Sequence, residues 1–162
     1  MAFVNDALQL ITTDPSDPRK YILGIDPGKT SGFAIYSLIP KERDSLKFER
    51  WWEVNISDYS PTLEGLTFVT KVGIEDFILR PTGKGSFLTK GKGYHTLDTA
   101  KLIGRVEQWA YTNKIQCVVN QPAEKPMGYK MAKLPYVAGK QGTHMMDAAA
   151  HARLTIRKVY QL

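Results

Sequence analysis

Tyr21-Ile22-Leu23-Gly24-Ile25-Asp26-Pro27-Gly28-Lys29-Thr30-Ser31-Gly32-Phe33-Ala34-Ile35-Tyr36 is the stretch whose reading decides the fold. Tyr21 to Ile25 is apolar and rich in β-formers, as a central strand would be. Pro27-Gly28 is a turn pair, in which proline presets φ and glycine accepts a positive one. A second apolar run, Phe33 to Leu38, starts too soon for a helix to intervene, so the stretch reads as a β-hairpin. Its first strand ends in a carboxylate, Asp26. Two roles suit that position: a rigidly held metal ligand or base, or an Asx-turn that caps its own backbone.

Working outward, residues 1–20 read as an N-terminal arm. Asp14-Pro15 and Asp17-Pro18 discourage regular structure there. Residues 21–162 then form one domain, long enough for its own core. Beyond the hairpin, Lys47 to Val54 is expected as a third strand, with Phe48 and Trp52 on one face and Trp51 on the other. A short helix over 61–69 follows, with Ser60 as cap and Pro61 at its first position. Lys71 to Ile78 is a fourth strand carrying Glu75 and Asp76. Thr96 caps a helix to Thr112 whose Ala100, Ile103, Val106 and Ala110 face the sheet. Its Gly104 costs helix stability, which the close approach of a backbone or a ligand would explain. Ile115 to Val119 is a fifth strand, and Gly142-Thr143 opens a last helix to about Tyr160. The fold class is therefore α/β: a mixed five-stranded sheet, made of a three-strand meander plus two further strands, flanked by helices.

Charge narrows the function. The chain carries 22 Lys and Arg against 16 Asp and Glu, a net +6, which favours a polyanionic partner. The segment 80–93 holds Arg80, Lys84, Lys90 and Lys92 with no acid and four glycines. A second basic segment runs from Lys125 through Lys130 to Lys140. Both follow strands, so both would flank whatever the strand ends hold. Arg80, Lys84, Lys90, Lys92, Lys125 and Lys130 are the expected contacts to such a polyanion, and Phe87 and Tyr94 are candidates for base stacking if it is a nucleic acid. The single cysteine, Cys117, lies in an apolar strand and reads as a small core residue. No apolar run is long enough to span a bilayer and no signal segment opens the chain, so the expected location is the cytoplasm.

Three acids sit near element ends: Asp26, Glu75 and Asp147. On the last helix His144, Asp147 and His151 share a face at i, i+3 and i+7. Ala148, Ala149 and Ala150 let that helix pack close to the sheet. Clustered carboxylates repel unless a cation lies among them, and hard oxygen ligands suit Mg²⁺ or Mn²⁺. A pair of such ions suits in-line phosphoryl displacement. Each piece also has a plainer reading. Glu75 and Asp76 are equal candidates for one place, His151 reads equally as a core histidine, and a Lys/Gly loop is usually a solvated excursion.

Gly24-Ile25-Asp26-Pro27-Gly28-x-Thr30-x-Gly32 resembles the first motif of the RuvC-like Holliday-junction resolvases, within the RNase H-like superfamily. Ile74-Glu75-Asp76-Phe77 resembles their second acidic strand, and His144-Met-Met-Asp147-Ala148-Ala149 their last acidic helix. The likeness spans about residues 21–160, and a short, divergent, stand-alone copy is similar to phage-encoded members. It implies an RNase H-like fold, a homodimer and metal-dependent paired nicking of a four-way DNA junction, in the host cytoplasm if phage-encoded. It also implies that Asp26 bridges two metals completed by Glu75 and Asp147, with His144 where many relatives have a carboxylate. The Gly104 helix and the arm are the candidate dimer elements. The alternatives are an RNase H-fold nuclease acting on flaps, forks or RNA, and a junction-binding module that does not cut. Asp-x-Gly-x-Thr also occurs in actin-like ATPases and sugar kinases, but those need two such lobes.

Overall fold

The computed structural model describes residues 16–76, 92–137 and 142–162, with residues 92–98 given as backbone only. Five strands form one sheet: β1 (Lys20–Asp26), β2 (Thr30–Leu38), β3 (Lys47–Asn55), β4 (Lys71–Glu75) and β5 (Gln116–Asn120). Their spatial order is β3-β2-β1-β4-β5. The first three pair antiparallel as a meander, and β4 and β5 join parallel to β1. The helices are α1 (Tyr59–Glu64), α2 (Lys92–Thr112), α3 (Lys125–Met131) and α4 (His144–Tyr160).

β1 is central and buried on both faces, which is why its sequence runs apolar without alternation. Leu23 and Ile25 point into a core with Phe33, Ile35, Val72, Ile74 and, from α2, Leu102, Val106 and Trp109. Ile22 points the other way, with Ala34, Tyr36 and Leu38, onto Ala148, Ala149, Ala152 and Ile156 of α4. The alanines bring α4 close, and glycines on the strands complete the fit. A Cβ on Gly24 would collide with the Ala148 carbonyl, and one on Gly32 with the His144 carbonyl. Gly24→Ala should therefore cost about 3 kcal/mol, at the upper end for an overpacked core. Equilibrium urea unfolding measures it, and a cost under about 0.5 kcal/mol would mean that α4 does not seat on β1 this closely.

Several expectations are revised. The helix expected over 61–69 is Tyr59–Glu64, entered through a 3₁₀ turn at Ile56–Asp58 and followed by Gly65. Phe48 shares its face with Trp51, not Trp52. A register shift between Ile35 and Tyr36 pairs Ile35 with Arg50 but Tyr36 with Phe48, so one extra β3 residue flips the side-chain alternation. Phe48 consequently packs edge-on against both Tyr36 and Trp51, while Trp52 stacks on Phe33. On α2 the buried stripe is Leu102, Val106, Trp109 and Ala110; Ala100 and Ile103 are only half-buried. Among the described residues nothing lies within 4 Å of a Cβ built on Gly104, so none of their backbones explains that glycine. The second basic segment contains a helix, α3, in place of a continuous loop.

β4 is described as far as Glu75 and the neighbouring Asp76; Phe77 and Ile78 lie outside the described residues, as do Arg80, Lys84, Phe87, Lys90 and residues 1–15 of the arm. Lys92 and Tyr94 fall on the first turns of α2, where only the backbone is described. Cys117 is half-buried on β5, and burial pushes its thiol up to about 11. Among the described residues no helix is long and apolar enough to cross a membrane.

Candidate active site

Parallel pairing aligns Ile25 with Ile74, so Asp26 and Glu75 come next to each other at the carboxyl ends of adjacent strands. Crevices outside such strand ends are where open α/β sheets bind ligands. Strand alternation aims both acids at the face that α4 covers. α4 begins at Thr143, whose hydroxyl accepts the Met146 N–H as an N-cap. Its first two turns deliver His144, Asp147 and His151 to that spot.

The side chains meet in a chain of contacts. His144 Nδ1 lies 2.7 Å from Asp26 Oδ2, and His151 Nε2 lies 3.2 Å from Glu75 Oε2. Lys125, the first residue of α3, lies 2.7 Å from Glu75 Oε2 and 3.3 Å from Asp147 Oδ2. The Tyr129 hydroxyl, one turn along α3, donates to Asp147 Oδ1. Asp147 and His151 are almost fully buried, Asp26 nearly so, and His144 is half-exposed at the rim.

Of the acids and histidine expected from the sequence, Asp26 and Glu75 fall together with His151: one ligand atom from each lies within 4.8 Å of the others. That is close to the spacing around a single ion, where ligands at about 2.1 Å stand at most about 4.2 Å apart. His144 adjoins this group through Asp26. Asp147 adjoins it through Lys125, with both oxygens engaged by α3. Asp76 is turned away and accepts a hydrogen bond of 2.8 Å from Gln121 Nε2. Lys130 is exposed on α3, whereas Lys125 is inside the site.

The electrostatics fit a cation. Three carboxylates gather around one ammonium, that of Lys125, so the acids outnumber the permanent cation of the cluster. Burial alone would raise the Glu75 pKa, but hydrogen bonds from His151 and Lys125, with the Lys125 charge, bring it down to about 2. Burial alone would lower that of Lys125, yet Glu75, Asp147 and Asp26 together raise it. Burial pushes the Tyr129 phenol up and Asp147 pushes it further, so it stays a donor. The hydrogen bond to Asp26 raises His144 above its ordinary 6.5, against its partial burial.

These shifts set a pH dependence for the metal-free protein. A raised histidine pKa gives stability that is full below 6.5 and lost as pH rises through the folded value. A depressed carboxylate gives stability that is full above 4.5 and lost as pH falls towards about 2. In EDTA, the melting difference between wild type and His144→Ala should be largest just below pH 6.5 and shrink as pH rises above it. Thermal melts on either side of that pH test it; a difference that does not change with pH would remove the His144–Asp26 ion pair.

No protein-family model matches the sequence, and no curated protein is significantly similar to it. Solved structures are more informative. RuvC of T. thermophilus in complex with a Holliday-junction substrate superposes with a TM-score of 0.57 at 13% identity, covering 86% of this chain and 95% of that one. The fold is RuvC-like. A further Thermus thermophilus RuvC structure gives the same TM-score at 14% identity, over 85% of this chain and 95% of its own. The mixed five-stranded sheet with flanking helices is thus the RuvC-like, RNase H-like α/β arrangement expected from the first motif.

Proposed function

We propose that this chain is a divalent-metal-dependent endodeoxyribonuclease that resolves four-way DNA junctions by paired nicks. The observation that carries the reading is the convergence of Asp26, Glu75 and His151 on one cation-sized spot in a RuvC-like fold, with His144 and Asp147 beside it. Asp26, Glu75 and His151 would hold Mg²⁺ or Mn²⁺, and an imidazole in the set favours Mn²⁺ at least equally. His144 and Asp147 are candidates to complete a second ion. Bound there, such ions supply Lewis-acid polarisation of the phosphodiester and a more acidic water.

The chain's own groups have separable tasks. Lys125 presents a half-buried ammonium where a scissile phosphate would carry its charge. Tyr129 and Lys125 fix Asp147 so that it need not reorganise. His144, half-exposed and held by Asp26 through Nδ1, is placed to take up or release a proton at Nε2 near the entering DNA. The basic residues Arg80, Lys84, Lys90, Lys92 and Lys130 are proposed to grip phosphates around this crevice, with Phe87 and Tyr94 as stacking candidates. Because a four-way junction has approximate two-fold symmetry, paired nicks call for a homodimer.

A substrate panel tests the reading: four-way junction, replication fork, flap, RNA–DNA hybrid and linear duplex, each with Mg²⁺ and with Mn²⁺. The junction should be cut at least about tenfold faster than the others. Preference for flaps or hybrids would keep the nuclease and remove the resolvase.

A further inference from the structure

Away from the strand ends, a groove of about 580 Å³ opens between the β3 edge of the sheet, α3 and α4. We propose that it is a second nucleic-acid subsite, which stacks the bases of unpaired DNA beside the cleavage site. Two large rings line it with unusual exposure for their size, Phe48 at 42% and Trp51 at 37%. The bulge on β3 is what turns both to this face, their rings edge to face at 5.4 Å. Sequence-tolerant binding of single strands uses this combination of aromatic faces with cations that track the backbone.

The cations are present. Arg43 and Lys133 stand exposed on the two walls, and Arg153 lies along the floor over the Tyr36 ring. Arg153 Nε donates to the Met131 carbonyl, while its Nη1 has no hydrogen-bond partner among the described residues. Among the described residues that line the groove, Asp44 is the one acid against these three. A second copy of a chain with net charge +6 would set like charges against each other across such a groove. A polyanion is attracted to it.

Position supports the same occupant. Trp51 lies two residues along β3 from Glu53, which shares a row with Gly32 and Asp26. That is about 7 Å along the strand and about 10 Å across from Asp26. Arg153 is nine residues after His144 on α4, about 14 Å along the helix and half a turn round it, so the way from the site to the groove runs along the β3 row rather than along one helix face. A strand opened at a branch point can therefore pass from the site into the groove. In this respect the subsite deepens the junction-nuclease reading and rests on it for the source of the strand.

The test measures anisotropy of a labelled oligo-dT with the full chain in the Asp26→Asn background, in EDTA, so that no cleavage interferes. Trp51→Ala should weaken binding about tenfold, the loss of one stacked base. The double variant Arg43→Ala/Lys133→Ala, both exposed, should make the log–log salt slope shallower by about 1.4, at roughly 0.7 per phosphate contact on a single strand. An unchanged slope overturns the subsite even if Trp51→Ala binds poorly, because a disturbed β3 would do the same. If Trp51→Ala instead turns a dimer into a monomer, or deletion of residues 1–15 raises oligo-dT affinity while the groove variants do nothing, the occupant is a second copy or the N-terminal segment, and the nucleotide assignment falls. Junction cutting by the wild-type chain is scored separately. A chain that cuts but fails this test loses only the groove; one that passes but cuts nothing loses only the nuclease.

Discussion

Asp26→Asn should lower junction cleavage by at least about a thousandfold, a barrier increase of about 4 kcal/mol. Affinity for uncut junction should stay within a few-fold of wild type. Asp26 is the acid at the end of the central strand, within reach of both Glu75 and His144. The amide keeps the shape and loses the charge that a divalent ion requires, while one fewer negative group slightly favours DNA. Single-turnover cleavage and gel-shift titration read the two effects independently. A variant that cuts within tenfold of wild type would move the chemistry away from β1.

Lys125→Met should destabilise the metal-free protein by about 3 kcal/mol, because it leaves the buried Asp147 and the half-buried Glu75 without their counter-charge. For a chain of this size that is a melting shift of roughly 6 to 12 °C. Mn²⁺ or Mg²⁺ should restore much of it, so the metal-induced shift should be larger in the variant than in wild type. Cleavage should nevertheless remain poor with metal bound, because the phosphate loses its ammonium. Equal metal-induced shifts in the two proteins would mean that Lys125 and the cation do not answer the same charge.

Much of this was legible in the sequence, for reasons that differ by element. β1 announced itself because a strand buried on both faces has no polar positions, and Asp26 stood out as the charge that ends it. α4 was readable from Thr143 as a cap and from the run of alanines that a close helix–sheet contact demands. What escaped was set by tertiary structure. Lys125 read as one more lysine in a basic segment, since α3 was not foreseen there. That helix is entered through a 3₁₀ turn, Pro122–Glu124, whose Gln121 and Glu124 side chains cap reciprocally; glutamine is a weak N-cap signal, and two lysines nearby suggested a loop. With α3 drawn, Lys125 and Tyr129 fall at i and i+4, on one face towards Asp147. His151 could not be separated from a core histidine by spacing alone, because its meeting with Glu75 depends on how far along β4 the helix sits. The bulge that brings Phe48 beside Trp51 leaves no mark in the alternation of β3.

The central claim is that the strand-end cluster uses a divalent cation to cut branched DNA. Its most direct test is a four-way junction labelled on each strand in turn, incubated with the wild-type chain in Mg²⁺, in Mn²⁺ and in EDTA. The account predicts nicks at symmetric positions in two opposing strands with either metal, and none in EDTA. A junction left intact by saturating protein with both metals, or cut equally well in EDTA, would contradict it.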